Sequence, residues 1–375
     1  MATLRCPWLL RSCIARSQHS CSSVHLELLV LLTFLDDAVV TTGSVDAAVP
    51  GSGAWGGLDR PIITYLILRS NSGSHHNSQF TIYNFQRAFK SNPMSESLNR
   101  ATWIWKTEEV VGSDDQIDQF VTFAHENGVK RVYIHINPDI PHQTLASFVG
   151  KCSLAGIAVE ALMGDAAWIF DPQSHESLQI RLRWVTDYQD QYASDAQVLF
   201  QGLHLDIEPW QLDGWHNSDQ PDLIRQWVGC FHYLKDWAKA QQPPLPVAAD
   251  LPFWLHTLQY PDNNERLDIT IMDILDGAAF MTYRNDPQGL MDIAGEALWA
   301  CSTCEKKREG IYLGVETVPS EEGTHISYHG LGMHKLQGDL GCLEGGHGLR
   351  EREPHEEHFA GLAVHDYHTW SKMYD

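Results

Sequence analysis

FQGLHLDIEPW (200–210) alternates aliphatic and polar side chains without a break. In an extended chain successive side chains point to opposite faces, so Leu203, Leu205 and Ile207 share one face and His204, Asp206 and Glu208 the other. IYLGVET (311–317) repeats the pattern, with Ile311, Leu313 and Val315 against Tyr312, Gly314 and Glu316. Six further β-rich runs accompany these two: ATWIW (101–105), VKRVYIHIN (129–137), GIAVEALMG (156–164), LPVAADLPFW (245–254), AAFMTYR (278–284) and HFAGLAVHDY (358–367). Between them lie stretches of helical period, such as Asp114–Asn127 and Gln220–Gln242. In the second of these Leu223, Trp227, Phe231, Leu234 and Ala238 recur at three and four residues. Strands alternating with helices predict βαβ units and a parallel sheet. Eight units over about 270 residues suit a single-domain α/β fold, the (β/α)₈ barrel. A doubly wound open sheet is the other candidate, but no glycine-rich phosphate turn follows an early strand. In a barrel the aliphatic face meets the surrounding helices, so His204, Asp206, Glu208 and Glu316 face the axis.

Asp206, Glu208 and Glu316 fall near the C-terminal ends of their strands, where barrel enzymes keep their active sites. Burying one unpaired carboxylate costs several kcal/mol, and grouping three adds like-charge repulsion, so stability does not explain them. A structural explanation would pair Asp206 or Glu208 with Arg284, at the end of the sixth strand. The functional reading is a pair of carboxylates set for acid–base chemistry.

The stretch 200–210 resembles the fourth-strand signature of family 18 glycoside hydrolases, D-x-x-D-x-D-x-E after a Phe and framing a Gly. Gly202, Asp206 and Glu208 match, while Gln201 and His204 stand where the first two acids would be. FMTYRN (280–285) resembles the family's M-x-Y-D, with Met281 and Tyr283 matching and Arg284 replacing the Asp. Trp370 falls where that family also keeps a Trp, and ALMGDAAW (161–168) is loosely similar to its third-strand G-G motif. The resemblance implies Glu208 as general acid and Asp206 as the group orienting a substrate N-acetyl nucleophile. The same residues resemble a broader group of glycosidase barrels with an acid on strand four and a nucleophile on strand seven. There IEPW gives Glu208 as acid/base and GVET gives Glu316 as nucleophile, although Ile207 replaces the Asn that precedes the acid.

Glycoside hydrolysis needs an acid for the leaving oxygen and negative charge opposite it. With Glu316 as partner, a carboxyl separation of roughly 5–5.5 Å would mean retention and roughly 6.5–9.5 Å inversion. With Asp206 alone, substrate assistance is the expectation. Tyr283 and Arg284 are candidates to position the sugar, and His204 to hydrogen-bond Asp206 or Glu208. Trp105, Trp168, Trp210, Trp254 and Trp370 fall at strand ends, where indole faces suit sugar rings. Trp184, Trp227, Trp237 and Trp299, at helical spacing, are expected in the core. Two other classes stay open. Loss of two signature acids fits a carbohydrate-binding, lectin-like barrel. A divalent metal on His135, His204, Asp206 and His365 would make a metal-dependent barrel hydrolase, though the first strand lacks the usual H-x-H. The expected ligand is an oligo- or polysaccharide, with no metal and no nucleotide cofactor.

The 375 residues carry 26 Lys and Arg against 48 Asp and Glu, a net charge of −22, which argues against nucleic acid as partner. No apolar run reaches the roughly 20 residues of a membrane span. Residues 1–60 read as a leader and linker ahead of a barrel domain at 61–375. Arg5, Arg11 and Arg16 precede the apolar run Leu28–Leu35 and the small residues at Ala47 and Ala48, the order of a secretory signal. The Arg- and Ser-rich opening also suits a mitochondrial presequence. Cys301 and Cys304 form a C-x-x-C without the second pair that a structural zinc site needs.

Overall fold

The computed structural model describes residues 65–70, 80–85, 99–304, 310–344 and 359–375, so the leader and linker expected over 1–60 lie outside the described residues. Two strands, β1 (Tyr65–Ser70) and β2 (Phe80–Phe85), pair antiparallel as a sheet of their own. They belong to one unit and the barrel strands to another.

The eight β-rich runs are eight strands: β3 (Arg100–Ile104), β4 (Val129–His135), β5 (Ala158–Met163), β6 (Gly202–Leu205), β7 (Val247–Pro252), β8 (Gly277–Met281), β9 (Ile311–Glu316) and β10 (Phe359–His365). They close a barrel in the order β10-β3-β4-β5-β6-β7-β8-β9, every pairing parallel. Between and after them run α1 (Thr107–Val111), α2 (Asp114–Glu126), α3 (His142–Leu154), α4 (Glu176–Gln191), α5 (Gln220–Lys239), α6 (Leu267–Ile274), α7 (Pro287–Thr303), α8 (Met333–Glu344) and α9 (Tyr367–Trp370). The architecture is an α/β (β/α)₈ barrel.

Two apolar sets hold it. Outward strand residues such as Leu203, Leu205, Ile207, Leu313 and Val315 pack against the inner faces of the helices; α5 contributes Leu223, Trp227, Phe231, Leu234 and Ala238. A second, smaller set fills the axis: Ala101, Trp103, Tyr133, Leu162, Ala279, Tyr312 and Ala363. Each large aliphatic or aromatic side chain so removed from water stabilises by about 1.5–3 kcal/mol. Helix starts are marked locally: Ser113 accepts the Gln116 amide ahead of α2, and Asp286 accepts that of Gly289 ahead of α7, which opens on Pro287.

Trp184 and Trp227 lie in the core as expected, and Trp237 packs partly buried against it. Trp299 does not: it is 37% exposed on α7, with the Arg266 guanidinium 4.2 Å from its ring centre. Helical spacing placed it on an inner face, but a cation–π contact holds it at the surface. Cys301 and Cys304 end α7 with both side chains buried, and Cys304 Sγ lies 3.4 Å from the Ala300 carbonyl oxygen. No described helix is long and apolar enough to cross a membrane.

Candidate active site

Inward side chains stack in layers along the barrel axis. Nearest the N-terminal end Arg131 ion-pairs with Glu160 and donates Nε–H to the Tyr312 hydroxyl at 3.3 Å. In the middle lies His204, 0% exposed. Its Nδ1 is 3.2 Å from a Glu160 oxygen and its Nε2 3.0 Å from Asp250 Oδ1. Tyr133 stacks on its ring at 3.6 Å, and Trp103 donates Nε1–H to Asp250 Oδ2 at 3.0 Å. At the C-terminal mouth come Trp105, Asp206, Glu208, Tyr283, Glu316 and His365.

Local backbone geometry sets the two acids of the fourth run. β6 stops at Leu205, and the Asp206 amide donates to the Met163 carbonyl at 3.0 Å, holding Asp206 against the end of β5. The backbones approach so closely here that a Cβ on Gly164 would lie 1.7 Å from the Asp206 carbonyl oxygen, so position 164 has room only for glycine. Pro209, lacking an N–H, turns the chain into a 3₁₀ turn over Pro209–Gln211. Gln211 then folds its amide back onto the Glu208 carboxylate.

Both acids are half-buried. Burial first, then the charge of Asp250, push Glu208 up to about 7, with the Gln211 amide pulling the other way. Asp206 is raised well above the carboxylate range by burial, then by Asp250 and Glu208. The Asp206 carboxylate accepts no hydrogen bond from any described residue. Tyr283 faces the same group: burial, then Glu316, Asp250, Asp206 and Glu208 raise its phenol.

Glu316 is 8% exposed and already satisfied. It accepts the Val318 amide at 2.7 Å, and His365 Nδ1 lies 3.0 and 3.1 Å from its two oxygens. Trp105 donates Nε1–H to His365 Nε2 at 2.9 Å, so the neutral ring carries its proton on Nδ1, toward Glu316. Burial alone would lower His365, but the Glu316 hydrogen bond and the charges of Glu316, Asp366 and Asp250 outweigh it and raise the group. Glu316 therefore orients His365 and, through it, Trp105.

Several sequence expectations change. His204 has no hydrogen bond to Asp206 or Glu208; its two ring nitrogens face Glu160 and Asp250 instead. Trp168 and Trp370 are 0% exposed and belong to the core. Trp168 sits in the 3₁₀ turn Ala166–Ile169, which rotates it inward to donate to Ser177 Oγ at 2.9 Å. Trp370, in α9, packs edge-to-face on Phe123. Neither face is available to a sugar. Trp105, Trp210 and Trp254 keep exposed surface, the last two packed edge-to-face 5.5 Å apart. Arg284 pairs with no carboxylate among the described residues; its Nη1 donates to the Tyr283 carbonyl at 2.7 Å and its guanidinium lies 5.3 Å from the Phe253 ring centre. The structural ion pair with Asp206 or Glu208 is thus not formed. The His135, His204, Asp206 and His365 set does not converge, because His204 and His365 spend both ring nitrogens elsewhere. Among the described residues no group of three or more His, Cys, Asp or Glu is placed to hold a metal ion.

Asp250, Glu160 and the pairing of His365 with Glu316 were not anticipated. Asp250 and Glu160 had a signal, each being a lone acid within an otherwise apolar run.

No protein-family model and no curated protein sequence matches the chain. Solved structures similar to it include the Bacillus cereus spore cortex-lytic enzyme SleL (11% identity over 61% of this chain and 54% of that one, TM-score 0.39). A GH18 chitinase from Cycas revoluta in complex with allosamidin matches at 13% identity over 58% of this chain and 68% of that one, TM-score 0.36. A chitinase from Bacteroides thetaiotaomicron matches at 10% identity over 72% of this chain and 90% of that one, TM-score 0.41. The chain spans about half the length of SleL. The closed parallel barrel is the architecture that the resemblance at 200–210 implies.

Proposed function

We propose that the protein is a glycosidase-like hydrolase that cleaves O-glycosidic bonds of an oligo- or polysaccharide by carboxylate general acid/base catalysis. The observation that carries this reading is Glu208 beside Asp206 at the C-terminal end of β6, where burial and the neighbouring carboxylates push Glu208 up to about 7. An acid at that value is protonated and mobile near neutrality, as a leaving-group acid requires. Glu208 donates its proton to the glycosidic oxygen, and Asp206 steadies the oxocarbenium-like centre or a substrate group that attacks it. Tyr283 hydrogen-bonds the reacting sugar, Trp105 offers it a fixed aromatic face, and Trp210, Trp254 and Arg284 contact its flanks. Glu316, with its oxygens spent, serves as the orienting partner of His365 rather than as a nucleophile. The order of charges and small residues in the first 48 positions supports a secreted enzyme, with a mitochondrial one as the alternative.

A non-hydrolytic, lectin-like reading has one observation in its favour. Both departures from the signature are diverted to structure: Gln201 Oε1 accepts the Val159 amide at 2.6 Å, and His204 is locked in the layer below. The test is a screen of the full chain against chromogenic glycosides and soluble polysaccharides, with Glu208→Gln and Glu316→Gln alongside. Turnover abolished by Glu208→Gln with saccharide binding retained supports the hydrolase. Tight saccharide binding with no turnover by the wild type supports the lectin, and turnover unaffected by Glu208→Gln refutes the assignment.

A further inference from the structure

Tyr283 stands past the last residue of β8, and no hydrogen bond ties its hydroxyl to any described residue. Its ring is therefore placed by the chain that carries it and by what it packs on. The β8–β9 ladder does not reach that far, because its last pair is Phe280 with Leu313. Above that pair Thr282, wholly buried, takes over. Its amide donates to the Phe280 carbonyl at 2.8 Å, and its hydroxyl donates to the Gly314 carbonyl at 3.0 Å. The first bond closes a three-residue turn that bends the chain off the strand, and the second fastens the bend to β9.

Gly314 is the other half of the arrangement. It follows Tyr312 by two residues on β9, so it takes the next position facing the axis. Its backbone is not left-handed, so the position requires space rather than an unusual dihedral. A Cβ there would lie 2.9 Å from the Phe280 carbonyl oxygen, 3.0 Å from Tyr283 Cε1 and 3.5 Å from Met281 Cα. All three atoms belong to the end of β8 and the turn beyond it. The carbonyl is backbone and is held by the Thr282 amide, so the Tyr283 ring is the part able to yield. Its other neighbour is His365, with ring centres 6.1 Å apart.

We propose that Gly314 and Thr282 are positioning residues for Tyr283. The missing side chain on β9 admits the ring, the Thr282 hydroxyl pins the turn that carries it, and together they hold the phenol at the barrel mouth. The catalytic consequence rests on Tyr283 hydrogen-bonding the reacting sugar, as proposed above; the placement of the ring does not.

The experiment is a double-variant cycle on the full chain, read as kcat and KM on the saccharide that the wild type turns over, with crystal structures of the wild type and the variants. Gly314→Ala is expected to lower kcat by about 10–10²-fold and to change KM far less, because it misplaces a group beside the reacting centre. In a Tyr283→Phe background, where the hydroxyl is already gone, the same change lowers kcat by less than about twofold. A merely structural role would lower kcat equally in both backgrounds. Thr282→Val keeps the side chain's size and removes its hydroxyl; it lowers kcat, Thr282→Ser restores it, and this pair serves if Gly314→Ala does not fold. In the crystal the Tyr283 ring of Gly314→Ala, or of Thr282→Val if only that variant folds, stands away from its wild-type place over β9. A ring that has not moved overturns the proposal. So do equal losses of kcat in the two backgrounds, or equal activity of Thr282→Val and Thr282→Ser. If the wild type turns over no saccharide, the hydrolase reading fails, and the position of the ring alone decides the role of Gly314 and Thr282.

Discussion

At Glu208 the demands of chemistry and of folding pull in opposite directions. Its folded value of about 7 lies above that of an unfolded chain, near 4.5, so the folded protein holds the proton more tightly. The stabilisation from that proton is complete below about 4.5 and is lost as pH rises to about 7. Ionising Glu208 therefore costs the fold up to about 3 kcal/mol above neutrality. Glu208→Gln removes the charge, so we expect the variant to be more stable than wild type at pH 8 and equal to it at pH 4, read by denaturant unfolding at each pH. On the proposed role of Glu208 as the acid, we expect turnover by the same variant to fall by about 10²–10⁴-fold and wild-type turnover to decline above pH 7. A second residue-scale expectation separates platform from core. Trp105→Ala raises KM for a saccharide with little loss of stability, because that indole keeps exposed surface. Trp370→Ala lowers stability by about 3–5 kcal/mol, since its side chain is wholly buried, and leaves KM unchanged in the fraction that folds.

The element that places the acids is β6 with its neighbour β5, and its weak point is Gly164. A methyl group there would meet the Asp206 carbonyl oxygen at 1.7 Å, so one strand end must move. We expect Gly164→Ala to destabilise by about 2–4 kcal/mol and to lower kcat more than it raises KM, as measured by thermal melts and steady-state kinetics. How much could be foreseen also divides by element. All eight strands were legible, because runs buried on both faces must be apolar and the helices between them keep the 3.6-residue period. Asp206 and Glu208 were legible because the alternation at 202–208 leaves no other face for them. Asp250 was not, since one acid inside VAADLP reads as a flaw in an apolar run until His204 and Trp103 are seen around it. Trp168 and Trp370 misled for the reason that Asp206 did not: position at a strand end gives proximity to the mouth, whereas a following 3₁₀ turn or helix decides which way the side chain faces. Partners on neighbouring strands, such as Glu316 on β9 with His365 on β10, are 49 residues apart and become visible only once the register of the two strands is known.

Over the whole molecule, closure of the ring depends on a few long-range contacts. Arg100 at the start of β3 donates through Nε and Nη2 to the two oxygens of Glu344, at the end of α8, at 2.7 Å each, and both side chains are buried. Its Nη1 reaches Gln337 at 2.7 Å and the Asn127 carbonyl at 3.2 Å. Glu344→Gln leaves that guanidinium short of its counter-charge, so we expect a loss of about 3–5 kcal/mol that added salt barely alters, measured by urea unfolding at low and high ionic strength. Beside it, β10 meets β3 through three residue pairs, and Gly361 approaches the Asn99 carbonyl more closely than any Cβ would allow. The strand that closes the ring is thus also the last of the eight barrel strands to be synthesised. Until residue 365 has been made, β3 and β9 remain bare edges able to recruit other chains. We expect a chain that ends before residue 359 to aggregate, because both of those edges stay unpaired.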